Sequence, residues 1–142
     1  MRLKDKVALV TGGGSGFGEG IVRKFVAEGA RVVVADLNLD AAQAVAEAAD
    51  ASSQHVRVVR AVQADVSQPA DVRGMFEAAQ QHFGRLDILA KDERAHREIR
   101  PICRRVKPGA KRKRVQIRFI NIGSRAAAGI DVHLGADLCA EA

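Results

Sequence analysis

Apolar positions in the first 90 residues fall into two alternating kinds of run. Val7-Ala8-Leu9-Val10, Arg31-Val32-Val33-Val34-Ala35 and Val56 to Val62 are short and nearly continuous, with no polar face. Runs of that kind suit strands covered on both sides of a sheet. Between them, apolar residues return at helical spacing. Ile21, Val22, Phe25 and Val26 mark one helix, with Glu28-Gly29 as its stop. The alanine-rich Leu39–Ala51 marks a second, opened by Asn38 or Asp40. A third starts at Ser67 or Pro69, aligns Val72, Met75, Phe76, Ala79 and Phe83, and ends at Gly84. Asp36 and Asp65 close the second and third strands, and Leu86-Asp87-Ile88-Leu89 begins a fourth. This alternation predicts an α/β fold of βαβ units, with a parallel sheet, flanking helices and right-handed crossovers.

After Ala90 the pattern degrades. Lys91–Arg100 is polar, charge-dense and compatible with helix; Pro101 and Pro108-Gly109 punctuate the chain, and Lys111-Arg112-Lys113-Arg114 is a basic run. Val115, Ile117 and Phe119 alternate with Gln116 and Arg118 and lead through Ile120-Asn121-Ile122 to Gly123-Ser124, which reads as a strand with one wetter face. Ala126–Ala142 is small-residue-rich and weakly patterned, as expected of a flexible tail. Charge divides at the same place. Residues 1–90 carry 10 basic and 11 acidic side chains, and residues 91–142 carry 13 and 6, within a total of +6. One domain in three stretches is therefore expected: 1–90, the basic 91–118, and a remnant strand with its tail over 119–142.

A hydrophobic content of 47% excludes wholesale disorder. No apolar run approaches the roughly 20 residues of a membrane span, and Val7–Val10 falls short of the ~7–15 of a signal-peptide core. A cytoplasmic protein without membrane contact is the expectation. Cys103 and Cys139 have no Cys-x-x-Cys partner, and His55, His82, His96 and His133 are scattered, so no metal site is expected.

The chemistry concentrates in Leu9-Val10-Thr11-Gly12-Gly13-Gly14-Ser15-Gly16-Phe17-Gly18, where a strand turns sharply into a helix. Glycines at 12, 16 and 18 let backbone approach a pyrophosphate, and the helix start offers unpaired N–H groups and the positive end of a dipole. Asp36, 18 positions after Gly18, ends the next strand. A carboxylate there accepts both ribose hydroxyls and repels a 2′-phosphate, which favours NAD over NADP.

Thr11-Gly12-x-x-x-Gly16-x-Gly18 resembles the cofactor fingerprint of the short-chain dehydrogenase/reductase family, whose glycines are more widely spaced than G-x-G-x-x-G. Asp36 matches the family's ribose-binding acid, and a non-basic Ser15 is similar to its NAD-preferring members. Asp65-Val66 matches the dipeptide near the adenine, and Gly84-Arg85-Leu86-Asp87-Ile88-Leu89 resembles the approach to its fourth strand. The resemblance implies a Rossmann-like sheet, incomplete at its C-terminal side, with NAD(H) held by Gly12, Ser15, Gly16, Phe17, Gly18, Asp36, Leu37, Asp65 and Val66. The implied function is an oxidoreductase interconverting a small alcohol and a ketone. The likeness stops after Leu89: the family's Asn-Asn-Ala-Gly is replaced by Ala90-Lys91-Asp92-Glu93. It returns at Phe119-Ile120-Asn121-Ile122-Gly123-Ser124, where Ser124 stands for the family's catalytic serine. Its tyrosine and lysine would fall near Asp137 and Glu141, and the chain contains no tyrosine at all. The expectation is a truncated, catalytically impaired member of the family. The alternative is a non-enzymatic binding module using the basic 91–118 segment on nucleic acid or an acidic partner. That segment has no interleaved aromatic residues for stacking on bases, so a solvated connector, or a reading-frame disturbance, is the favoured reading.

Overall fold

Strand β1 (Val7–Thr11) is buried at every position, and its side chains alternate between two separate cores. The computed structural model describes residues 2–55, 57–92, 118–122 and 134–135. Val7 and Leu9 share one core with Val33 and Ala35 of β2 (Arg31–Asp36), Leu89 of β4 (Ile88–Asp92), and Val72, Met75, Phe76 and Ala79 of α3 (Pro69–Phe83). Ala8 and Val10 share the other with Val32, Val34, Ile88 and Ala90, beneath α1 (Gly16–Ala27) and α2 (Leu39–Ser52). The period-two alternation of a strand thus sorts the apolar runs onto both faces of one sheet.

The sheet order is β3-β2-β1-β4-β5-β6, with β3 at Val59–Gln63, β5 at Arg118–Ile122 and β6 at Leu134–Gly135. Its first five strands are parallel, and β6 pairs antiparallel with β5. The chain steps outward from β1 to β2 to β3, so right-handed crossovers lay α1 and α2 on one face. It then returns to the far side of β1, and the reversed direction lays α3 on the other. Strand order reverses beside β1, which opens a crevice outside the C-terminal ends of β1, β2 and β4.

The third strand was expected from Val56, but its ladder begins at Val59, opposite Val32. The Asp50 carboxylate near the end of α2 takes the N–H groups of both Val58 and Val59 at 2.9 Å, and Arg57 turns at φ 60° just before them. Val56 lies outside the described residues. Lys91 and Asp92, read above as the start of a charged, helix-compatible stretch, are strand: β4 continues through both, paired to Asn121 and Ile122 of β5. Lys91 is 2% exposed. Residues 93–100 of that stretch are not among those described. Among the described residues no helix is long and apolar enough to cross a membrane.

Asp87 fastens β4 to β1. Its carboxylate accepts the Val7 N–H at 2.9 Å, its own N–H donates to the Val7 carbonyl at 2.9 Å, and Arg85 grips it through Nη2 at 2.6 Å and Nε at 2.9 Å. The same carboxylate raises the Arg85 pKa above its already high ordinary value, by hydrogen bonding and by charge. Asp87→Ala is expected to cost about 1.5–3 kcal/mol, because it strands the Val7 donor and frees the guanidinium. A urea unfolding midpoint equal to that of the parent chain would refute this role.

Candidate functional site

The β1–α1 turn runs along the C-terminal edge of the sheet, with Gly12 at φ 65° and Gly16 at φ 55°. Both lie in the left-handed region that L side chains disfavour. Gly18 is glycine for another reason. A Cβ there would run into the Gly12 carbonyl oxygen and stand 2.7 Å from the Gly12 carbonyl carbon and 2.9 Å from Gly13 Cα. Gly13 is enclosed as well, its hypothetical Cβ 2.7 Å from Val34 Cγ1. Gly16 is the opposite case, since nothing lies within 4 Å of a Cβ placed on it. The turn is thus sealed against the sheet on one side and open on the other.

Helix α1 starts without a side-chain cap. Ser15 is extended at the N-cap position (φ −160°, ψ 168°), and its hydroxyl makes no capping bond. Helix α2 caps itself, with Asn38 Oδ1 accepting the Ala41 N–H at 3.1 Å. The first-turn N–H groups of α1 have no helical acceptor, and the dipole of the helix adds positive potential there. An anion seated over Gly16 meets both effects.

Asp36 ends β2 beside this turn, half-buried, with both carboxylate oxygens engaged. Oδ2 accepts the Gly14 N–H at 2.9 Å and Oδ1 accepts the Asn38 N–H at 3.0 Å. A carboxylate retains lone pairs for two further donors in that state. Phe17 and Leu37, the next residues after Gly16 and Asp36, are 55% and 67% exposed, the large hydrophobic side chains left uncovered among the described residues. Apolar surface placed on either side of a polar turn suits a ligand with flat rings.

Asp65 follows β3 on the same edge. Its Oδ1 accepts the Ser67 hydroxyl at 2.6 Å and the Ser67 N–H at 2.9 Å, and these bonds hold its carboxyl below the ordinary carboxylate range. A lowered value makes the ionised form a folded-state stabiliser, present above the ordinary pKa and lost as pH falls through the lowered one. Val66 packs against the core under α3. Two bonds tie this corner to the Asp36 region: Ala64 N–H to the Asp36 carbonyl at 3.0 Å and Gln63 Nε2 to the Leu37 carbonyl at 3.2 Å. The Thr11 hydroxyl donates to the Ala90 carbonyl at 3.4 Å, which closes the β1–β4 side.

Gly12, Ser15, Gly16, Phe17, Gly18, Asp36, Leu37, Asp65 and Val66 therefore stand along one edge of the sheet. The spacing of the motif did not single out Gly14 or the Asn38 N–H, although both hold Asp36. Their signal is a contact across the fold rather than a pattern along it. Ser124, Asp137 and Glu141 lie outside the described residues, as does the basic 91–118 segment apart from Lys91, Asp92 and Arg118. Strand β5 ends at Ile122, paired with Asp92.

The family model for short chain dehydrogenase matches residues 6–92, the stretch from β1 through β4. The chain belongs to the short-chain dehydrogenase family. This short-chain dehydrogenase chain is 46% identical over 92 residues to an uncharacterized oxidoreductase of Methylorubrum extorquens, an overlap of 64% of the chain and 36% of the relative. Among solved structures it resembles the 3-ketoacyl-(acyl-carrier-protein) reductase of Brucella melitensis, complexed with NADH. Identity is 43% and the TM-score 0.58, over 63% of this chain and 34% of that one. A short-chain dehydrogenase/reductase of Burkholderia phymatum in complex with NAD matches at 32% identity and TM-score 0.60, over 65% and 32% of the two chains. The chain spans between 12% and 38% of the length of the curated relatives it matches.

Proposed function

We propose that this chain is the dinucleotide-binding part of a short-chain dehydrogenase, that it takes NAD(H) in preference to NADP(H), and that it turns over alcohols and ketones poorly. The supporting observation is the Asp36 carboxylate, fixed by the Gly14 and Asn38 N–H groups beside an uncapped α1. The cradle also fits: Gly16 leaves open space where phosphates would lie, and Gly18 admits no side chain at all. In this reading Gly12, Ser15, Gly16, Phe17 and Gly18 hold the pyrophosphate, Asp36 and Leu37 the adenosine ribose, and Asp65 and Val66 the adenine. The Brucella and Burkholderia proteins carry NADH and NAD, which favours the same class of ligand here.

When bound, the nicotinamide supplies or accepts a hydride. Ser124 orients a carbonyl by hydrogen bonding, but it cannot replace the phenol that donates the family's proton. The positions where the family's tyrosine and lysine would fall hold Asp137 and Glu141, and no residue of this sequence carries a phenol.

Scanning calorimetry tests the binding half of this reading. NADH is expected to raise the unfolding transition, since ligand at ~100 times its dissociation constant adds about 2.7 kcal/mol. NADPH at equal concentration is expected to raise it less. Equal shifts from the two would remove the role given to Asp36, and no shift from either would remove the cofactor reading.

A further inference from the structure

Gly14 does not have the left-handed backbone that explains Gly12 and Gly16. Its lack of a side chain has a different origin. A Cβ there would stand 2.9 Å from Asp36 Oδ2, 3.0 Å from Ala41 Cβ and 3.1 Å from the Ala42 nitrogen. The first of these is the same oxygen that accepts the Gly14 N–H at 2.9 Å. Three elements therefore meet at this point: the β1–α1 turn, the end of β2 and the first turn of α2. Ala42 N is itself committed to the Asn38 carbonyl at 3.1 Å, so the α2 side of the gap is backbone in a formed helix. The carboxylate is the one group at the gap able to rotate away.

We propose that Gly14 is a positioning residue that sets the preference for NAD(H) over NADP(H), acting through Asp36. This rests on the dinucleotide reading above. With glycine at 14 the N–H holds Oδ2 and Asn38 holds Oδ1, so the negative charge is fixed where a ribose 2′-oxygen would approach. Two hydroxyls find acceptors already in place, and a 2′-phosphate meets a charge that cannot swing aside. A methyl at position 14 displaces the carboxylate and breaks the bond that fixes it. The ribose then loses its oriented acceptor, and the 2′-phosphate loses part of the opposing charge.

The test is a double-mutant cycle on cofactor dissociation constants, read by NADH and NADPH fluorescence. Gly14→Ala is expected to weaken NADH about tenfold, the scale of one hydrogen bond to a charged group. NADPH is expected to change less than about twofold, because its loss of ribose contacts is offset by relief of repulsion. In the Asp36→Ala background, Gly14→Ala is expected to leave NADH affinity within about twofold, since the group it acts on is gone. Equal weakening of both cofactors would overturn the proposal, as would a tenfold NADH loss that persists without Asp36. Either result would assign Gly14 to packing alone. Amide hydrogen exchange on the ligand-free chain supplies an arm independent of any cofactor and of the Gly14 variant. The Gly14 N–H is expected to exchange faster in Asp36→Ala, while an unchanged rate would overturn the link. Should neither cofactor bind the parent chain, the NAD(H) reading falls, and the exchange arm still decides whether Gly14 and Asp36 are coupled.

Discussion

In the Gly18→Val variant, NADH binding is expected to disappear together with about 3 kcal/mol of folding stability, the upper range for forcing atoms into a packed interior. The reason is local. A Cβ at 18 meets the carbonyl of Gly12 and the Cα of Gly13, which are backbone atoms of the turn itself. Relief requires α1 to lift off β1, and that movement opens the core made by Ile21, Val22 and Val26 with Ala8 and Val10. Two neighbouring glycines give the contrast. At Gly20 nothing lies within 4 Å of an added Cβ and the residue is helical, so Gly20→Ala is expected to add about 0.5–1 kcal/mol and leave binding intact. Gly16→Ala stands between them, costing about 1–2 kcal/mol for the left-handed conformation while its methyl enters the open side of the cradle. Its loss of NADH affinity is therefore expected to exceed its loss of stability. Urea unfolding and NADH fluorescence titration of the three variants separate these cases. A Gly18→Val chain that unfolds like the parent, or a Gly20→Ala chain that loses NADH, would contradict this account of the turn.

What the sequence revealed and what it hid follow a physical line. Continuous runs such as Val32-Val33-Val34 announced strands covered on both faces, because positions enclosed on both sides favour apolar side chains. Which helix covers which face was not in the runs. It follows from the order of the strands: Val33 lies under α3 and Val34 under α1 and α2 because the chain reverses direction beside β1. The glycines at 12 and 16 were legible because their positive φ answers to local backbone conformation. Gly13 and Gly14 were not, since their constraints are Val34 and Asp36, more than twenty positions along the chain. Val59 opens its strand later than the apolar run suggested because Asp50, on the preceding helix, takes two N–H groups first. Lys91 shows the same principle in reverse. Its charge marks a boundary in composition, yet β4 lies between β1 and β5, and the backbone ladder carries the strand through the lysine. Side-chain polarity predicts exposure only where no neighbouring strand claims the backbone.

The second large effect concerns turnover. Positioned proton transfer contributes about a hundredfold to ten-thousandfold to reactions of this kind. With no tyrosine anywhere in its 142 residues, this chain has no phenol to make that transfer. NADH oxidation in the presence of a panel of ketones is therefore expected to run about a hundredfold to ten-thousandfold below that of the Brucella melitensis reductase on its own substrate. The deficit is expected in kcat, since the groups proposed to hold the dinucleotide belong to β1, α1, β2 and the β3–α3 connection, all of them formed. Fluorescence titration fixes the NADH occupancy at which each rate is read, so weak binding cannot imitate slow chemistry. On the proposed function, any turnover that remains is expected to come from holding hydride donor and carbonyl together, a contribution of orientation that needs no acid. If Ser124 has the role proposed for it, Ser124→Ala is expected to lower even that remainder, because orienting a carbonyl does not require a proton donor beside it. A rate within about tenfold of the Brucella enzyme at matched occupancy would show that another group on this chain delivers the proton, and the impaired reading would fail.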